Sequence, residues 1–177
     1  MKGIRIQGGM PLQGKVRIQG SKNAALPILA ATLLTNEVSY IQNCPRIEDV
    51  HRFVHLLREL GCMVHWQENG IRVQPGENEE LPCERAEARR MQGEAITGMR
   101  SSLCLLGALL GRCGYVTMEH PGGCVIGDRP IDLHIHALEQ MGVEFLEEDG
   151  LLSARAKNLH GAQITLKFPS AGATENI

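Results

Sequence analysis

The sequence predicts an α/β protein built from repeated βαβαββ units, and three observations support this. Strand-like alternation and helix-like apolar spacing follow one another in the same order twice. In both copies an amphipathic helix stops at a glycine before a hairpin, and the stops at Gly61 and Gly142 lie 81 residues apart. The 177 residues include 20 glycines and 8 prolines, above the average share of roughly 12%, which indicates many short turns.

The first copy follows this order from its opening strand to its hairpin. Its predicted elements are a strand over residues 15–18, a helix over 23–34 that Ser21 opens, a strand over 38–41, a helix after Pro45 that stops at Gly61, and hairpin strands over 63–66 and 71–73.

The second copy repeats the pattern, and a third begins. The elements predicted for the second are a helix over residues 99–112, a strand over 115–118, a helix over 130–141, and hairpin strands over 143–145 and 151–153. Residues 163–166 resemble a third opening strand, and Ser170 a third helix start. Residues 76–90, rich in Glu and Arg, are expected to be a solvated connector.

Composition excludes several function classes. With a net charge of -2, nothing indicates binding to nucleic acid or to a membrane surface. No apolar run approaches the ~18 residues that span a bilayer, and the start lacks the apolar region of a signal peptide. We therefore expect a soluble, cytoplasmic protein.

The cysteines and histidines give no metal site. The six cysteines include no Cys-x-x-Cys pair, so six reduced thiols are expected rather than disulfides or zinc ligands. His51 and His55 have a helical spacing that can hold zinc, but no cluster completes the site, and a solvated or half-buried pair is favoured.

Three predicted helix starts carry a cation: Lys22, Arg100 and Arg129. A cation is disfavoured at the positive end of a helix dipole, so its recurrence there indicates an anion site for phosphate or carboxylate. For Arg129 the alternative is a local ion pair with Asp128.

Cys124 differs from the other cysteines because it follows Gly122 and Gly123 in a predicted loop close to Arg129. Nearby cations lower a thiol's pKa and make it reactive. The alternative, in which the glycines only form a turn over a packed Cys124, stays open.

At these positions the sequence resembles the UDP-N-acetylglucosamine 1-carboxyvinyltransferase family, the enolpyruvyl transferases that open peptidoglycan precursor synthesis. The resemblance covers essentially the whole chain. Its motifs are Gly20-Ser-Lys-Asn-Ala-Ala-Leu-Pro-Ile28, Met99-Arg-Ser-Ser102, Pro121-Gly-Gly-Cys-Val-Ile-Gly-Asp-Arg-Pro-Ile-Asp-Leu-His134 and Phe168-Pro-Ser-Ala-Gly-Ala-Thr-Glu-Asn176.

The resemblance implies an inside-out α/β barrel of six βαβαββ units in two domains. Residues 1–20 are then an opening strand segment that belongs with the second domain, and residues 21–177 are a truncated first domain. It also implies roles in the cell wall, cell shape and cell division, and inhibition by fosfomycin.

The resemblance assigns roles residue by residue. Lys22, Asn23 and Arg129 match residues that bind phosphoenolpyruvate. Cys124 matches the proton donor to the enolpyruvyl methylene, which is also the thiol that fosfomycin alkylates. The positions matching contacts to UDP-N-acetylglucosamine are Arg100, Arg129, Pro130, Ile131, Asp132, Leu133, Phe168, Pro169, Ser170, Ala171 and Gly172. No cofactor or metal is implied.

Two further residues of the family, its catalytic Asp base and an Arg that closes on phosphoenolpyruvate, lie in the C-terminal half of the full enzyme. The present 177 residues do not match that half. The chain is therefore expected to be an N-terminal fragment, inactive alone, whose partners are the two small-molecule substrates and that missing half. Two alternatives stay open. One is a non-catalytic product that at most binds UDP-sugar. The other is 5-enolpyruvylshikimate-3-phosphate synthase, which has the same fold but ends its lysine motif in Ser rather than Asn23.

Overall fold

The computed structural model describes residues 3–74, 90–121 and 130–177, and it shows two sheets with helices packed against them. The helices are α1 (Lys22–Ala31), α2 (Glu48–Glu59), α3 (Glu94–Thr97), α4 (Cys104–Cys113), α5 (Asp132–Gln140) and α6 (Ala171–Asn176), with 3-10 turns over Thr32–Leu34 and Arg100–Leu103. The strands are β1 (Ser39–Gln42), β2 (Met63–Gln67), β3 (Gly70–Gln74), β4 (Arg90–Met91), β5 (Tyr115–Glu119), β6 (Val143–Glu148) and β7 (Leu151–Ala156).

The two sheets share one topology. The first has the order β1-β3-β2, and both of its pairings are antiparallel. The second has the order β4-β5-β7-β6, in which β5, β7 and β6 repeat the first sheet and β4 adds a parallel strand beside β5. The predicted hairpins are confirmed as β2–β3 and β6–β7, and the predicted repeat is confirmed in the order helix, strand, helix, hairpin that follows the opening strand.

The helices that end before each hairpin stop in the same way. The glycines that follow, Gly61 and Gly142, have φ of 88° and 90°, in the left-handed region that favours glycine. On α2 the buried residues Val50, Phe53 and Leu57 follow helical spacing, and this face packs against α1 and β2.

The most enclosed helix of the described residues is α4, which contacts α1, α6, β5 and β7. Its side chains Leu105, Leu106 and Leu109 are almost completely buried. Burying a leucine side chain contributes about 1.5–3 kcal/mol. The position of α4 therefore fixes where its neighbours can lie. Within the described residues, no helix combines the length and the apolar character that crossing a bilayer requires.

Both predicted opening strands are wrong. Residues 15–18 and 163–166 are not strands, and Val16 and Ile18 have 87% and 83% of their surface exposed. A strand persists only when a neighbouring strand pairs with its backbone. None of the described strands pairs with either segment. Residues 76–89 of the predicted connector lie outside the described residues. Its last residue, Arg90, belongs to β4, so the end of the connector is corrected.

Helix α6 approaches α4 unusually closely at Gly107. A Cβ atom at this position would lie 1.9 Å from the backbone oxygen of Asn176 and 2.8 Å from its side-chain oxygen. The Gly107 N–H instead donates a 2.8 Å hydrogen bond to Asn176 Oδ1. Glycine is thus required at 107 for α6 to lie where it does.

We predict that Gly107→Ala displaces α6 and lowers the free energy of unfolding by about 1–3 kcal/mol, the usual cost of overpacking. Gly111→Ala on the same helix is the matched control. There the new Cβ would meet only the Leu34 side chain, at 3.2 Å, and alanine is a better helix former than glycine. Urea unfolding followed by circular dichroism measures both variants. Equal stability of the two would contradict the close approach.

Candidate functional site

The 3-10 turn ahead of α4 lies against the start of α5. Arg100 begins this turn, and its Nη2 donates a 2.9 Å hydrogen bond to the carbonyl oxygen of Pro130. Pro130 and Ile131 lead directly into α5, whose first residue is Asp132. One contact between residues 30 positions apart therefore joins two segments that the sequence assigns to UDP-sugar binding.

The side chains at the start of α5 divide between solvent and interior. Asp132 is exposed, whereas Leu133 and His134 are each 6% exposed. The pKa of His134 is lowered to about 4, chiefly by burial and further by the Arg100 charge, while Asp132 opposes the shift. His134 is thus a neutral imidazole near pH 7, beside a guanidinium and a carboxylate.

The segment over residues 168–172 reaches this group through Gly172. A Cβ at Gly172 would lie 3.6 Å from Cε1 and Nε2 of His134, so the backbone there packs on the imidazole ring. Ser170 is the N-cap of α6, and its Oγ accepts a 3.2 Å hydrogen bond from the Ala173 N–H. The predicted helix start is confirmed. Phe168, Pro169 and Ala171 are exposed.

Lys22 and Asn23 are exposed at the start of α1. The Lys22 Nζ forms a 2.7 Å ion pair with Asp49 in the first turn of α2. Both side chains are more than a third exposed, so such a pair contributes under about 1 kcal/mol. An incoming anion can replace this carboxylate at low cost.

The predicted proton donor Cys124 and the predicted cation Arg129 lie outside the described residues. Three other thiols, those of Cys44, Cys62 and Cys104, are free and buried. Burial raises the pKa of all three, to about 11 for Cys62 and Cys104. Cys113 is disulfide-bonded, so the prediction of six reduced thiols is wrong at that position.

The histidines of α2 have partners other than a metal. His51 lies with its ring centroid 5.1 Å from that of Trp66, and His55 Nε2 lies 3.2 Å from the Glu59 carboxylate. Among the described residues, no group of three or more His, Cys, Asp or Glu side chains is placed to hold a metal ion.

Two buried polar side chains join the site without having been assigned from the sequence. His134 and Asn176 are each 6% exposed, and Asn176 Nδ2 lies 3.1 Å from His134 Nδ1. Each is the last residue of one of the motifs quoted above. The sequence signal that could have identified both is a polar residue on a helix face that is otherwise apolar. Their pairing spans 42 positions and has no local signature.

The family model described as EPSP synthase (3-phosphoshikimate 1-carboxyvinyltransferase) matches residues 6–177. Proteins named UDP-N-acetylglucosamine 1-carboxyvinyltransferase from Oleidesulfovibrio alaskensis and Lawsonia intracellularis are each 43% identical over 100% of this chain. One from Caldanaerobacter subterraneus, named UDP-N-acetylglucosamine 1-carboxyvinyltransferase 2, is 41% identical over 98% of this chain. The chain spans about 40% of the length of these relatives.

Solved structures share the fold. The enolpyruvyl transferase NikO from Streptomyces tendae matches 86% of this chain and 32% of its own, with a TM-score of 0.65 and 23% identity. An EPSP synthase from Acinetobacter baumannii matches 92% of this chain and 36% of its own, with a TM-score of 0.65 and 19% identity. The predicted α/β fold class is therefore confirmed.

The buried imidazole predicts how stability depends on pH. The folded pKa of His134 is about 4, against the ordinary histidine pKa of 6.5, so between these values the unfolded chain binds a proton that the folded chain excludes. The contribution of His134 is complete above pH 6.5 and is lost as the pH falls toward 4. Between pH 7.5 and 4.5 we expect the native protein to lose about 2 kcal/mol more stability than His134→Gln does.

Urea unfolding at the two pH values measures this difference. His136→Gln is the matched control, because His136 lies on the same helix and is exposed, so this variant should follow the native protein. If the His134 variant loses as much stability as the native protein, the imidazole is not a buried neutral group.

Proposed function

Because the chain belongs to the EPSP synthase family of enolpyruvyl transferases, we propose that it provides the nucleotide-sugar-binding part of a UDP-N-acetylglucosamine 1-carboxyvinyltransferase. That reaction transfers the enolpyruvyl group of phosphoenolpyruvate to the sugar 3-hydroxyl and releases phosphate. The identities of 41–43% to relatives of this name favour it over the synthase of 5-enolpyruvylshikimate 3-phosphate.

The observation that carries the proposal is the contact from Arg100 to Pro130. It places a guanidinium beside the start of α5, next to the neutral His134 and the backbone at Gly172. A guanidinium binds diphosphate oxygens with strong, charge-assisted hydrogen bonds. In the proposed complex Arg100 contacts UDP-N-acetylglucosamine together with the following positions: Arg129, Pro130, Ile131, Asp132, Leu133, Phe168, Pro169, Ser170, Ala171 and Gly172.

For phosphoenolpyruvate we propose Lys22, Asn23 and Arg129 as the binding residues. Adding a hydroxyl to the enol carbon of phosphoenolpyruvate requires an acid that protonates the methylene carbon, and Cys124 is proposed as that acid. Cations around the phosphate and carboxylate stabilise the charge that develops. The exposed pair between Lys22 and Asp49 supports this assignment, since phosphate can displace the carboxylate from the ammonium group.

We propose that the general base, which removes the proton of the sugar hydroxyl, lies in the part of the relatives that the present chain does not cover. We propose residues 1–20 as a segment of the second domain and residues 21–177 as part of the first. The exposed apolar side chains at 16 and 18 support this division. The proposed setting is cytoplasmic peptidoglycan synthesis, with the consequences for cell shape and division that follow, and with fosfomycin as an inhibitor.

The proposal predicts that Arg100→Ala weakens binding of UDP-N-acetylglucosamine by about 1.5–3 kcal/mol, because a charge-assisted contact is lost. Arg112→Ala is the matched control. Arg112 is in the last turn of α4 and donates to Asn36, away from Pro130. Calorimetry on the chain measures both variants. Equal affinities for the two would remove Arg100 from the site.

A second prediction concerns the thiols. In the reduced protein, Cys124 is expected to react with iodoacetamide or an epoxide before Cys44, Cys62 or Cys104, whose burial keeps them protonated and covered. Mass spectrometry of singly labelled protein identifies the modified residue, and Cys124→Ser is the control that should abolish the fast label. Preferential labelling of Cys104 would contradict the assignment.

A third prediction is that residues 1–177 alone bind the sugar nucleotide without releasing phosphate from phosphoenolpyruvate. The proposed base, and the second domain proposed to close over the site and exclude water, both belong to the part of the relatives that this chain does not cover. A phosphate-release assay with both substrates tests this, with Cys124→Ser as the background. Sustained release that depends on Cys124 would show that the present residues suffice.

A further inference from the structure

Asn176 lies between two helices, and the contacts on its two sides determine how its amide is oriented. On one side the backbone N–H of Gly107 points at the side chain, 2.8 Å from Oδ1. A backbone N–H can only donate, so the atom facing it must be the amide oxygen. The usual ambiguity between the oxygen and nitrogen of an asparagine is therefore resolved here by a neighbour with a single possible role.

The orientation of the Asn176 amide determines which tautomer His134 adopts. With Oδ1 on Gly107, the amide NH₂ faces His134, and Nδ2 lies 3.1 Å from Nδ1 of the imidazole. An amide nitrogen only donates, so Nδ1 must be the unprotonated nitrogen and must accept. Because the ring is neutral near pH 7, its remaining proton is on Nε2.

The Nε2–H group of His134 keeps some contact with solvent, although the residue as a whole is only 6% exposed. In the described part of the chain, no buried side-chain nitrogen or oxygen lacks a hydrogen-bond partner, and the hydrogen bond found there for His134 is the one at Nδ1. Nε2 is consequently not sealed from solvent. It lies beside the backbone at Gly172, where a Cβ would come within 3.6 Å of it.

From these contacts we infer that Asn176 is a positioning residue that holds His134 as an Nε2–H donor, aimed at an acceptor oxygen of the bound nucleotide sugar. The inference rests on the proposed function for the identity of the ligand, and on the geometry alone for the tautomer. A neutral donor here complements Arg100, because it adds a directed hydrogen bond without adding a further positive charge to the site.

The first test needs no ligand, and it uses a variant only to assign signals. Two-dimensional ¹H–¹⁵N spectra of the histidine side chains at pH 7.5 distinguish the two neutral tautomers. We expect His134 to show an unprotonated Nδ1 and a protonated Nε2, assigned by the disappearance of its signals in His134→Gln. A protonated Nδ1 in the native chain would overturn the inference.

The second test exchanges the donor for an acceptor. In Asn176→Asp one carboxylate oxygen can still accept from Gly107, but the other can only accept from His134. Nδ1 must then carry a proton, so at high pH Nε2 loses its own, and at low pH both nitrogens are protonated. The charges acting on His134 from the elements packed against it are Arg100 and Asp132, and Glu175 adds a charge on α6 that acts on Cys104.

We expect Asn176→Asp to bind UDP-N-acetylglucosamine roughly 3- to 10-fold more weakly than the native chain at pH 9. This deficit should shrink as the pH falls toward 6. The matched control is Asn36→Asp, which adds the same charge at an exposed residue beside Arg112, in the last turn of α4. This variant should retain native affinity at both pH values. A merely structural role for Asn176 would weaken binding equally at every pH.

The outcomes separate the two proposals. If the native chain does not bind the sugar nucleotide, the proposed function fails, while the ligand-free spectra still decide the tautomer. If the native chain binds and Asn176→Asp shows no dependence on pH, the proposed function stands and the positioning role of Asn176 is wrong.

Discussion

The candidate site depends on how closely α6 approaches α4. Because Gly107 has no side chain, the end of α6 can rest on the backbone of α4, and Asn176 there bonds to the Gly107 N–H. The same placement brings the start of α6 against the ring of His134 on α5. Helix α4 cannot move to accommodate a larger residue, since it is enclosed by leucines that pack on its neighbours. The absence of a side chain at Gly107 thus determines how α4, α5 and α6 lie relative to one another.

The polar groups of the site fall into two kinds, which serve different purposes. The exposed Lys22 is held by a carboxylate that an anionic ligand can replace. The guanidinium of Arg100 donates to the carbonyl of Pro130, which is a neutral acceptor. The buried His134 contributes direction rather than charge, because burial keeps it neutral. Two cations and a buried neutral donor suit a ligand that is anionic at one end and polar elsewhere.

Local patterns predicted the parts of the fold that local contacts hold. Both hairpins and the amphipathic helix before each were predicted because turn residues and helical spacing act over a few positions. The segments at 15–18 and 163–166 alternate as strands do, yet a strand also needs a partner that its own sequence cannot specify. For the same reason β4 was not predicted. It is only two residues long, and its first residue, Arg90, was assigned to a charged connector. At the site, the motifs identified Arg100 and the start of α5, whereas the link between Asn176 and His134 joins separate elements and has no pattern along the chain.

The link through Asn176 also bears on the order in which the molecule assembles. Each sheet contains one hairpin whose strands are close in sequence, so the hairpins can form early, but the bond from Asn176 to Gly107 closes over 69 positions. We therefore expect α6 to dock late and to open first, which slow exchange of the Gly107 amide hydrogen would contradict. A ligand that contacts His134 and Gly172 would bind the state in which α6 is docked. Its binding would therefore stabilise that state, and its affinity would depend on how completely α6 docks.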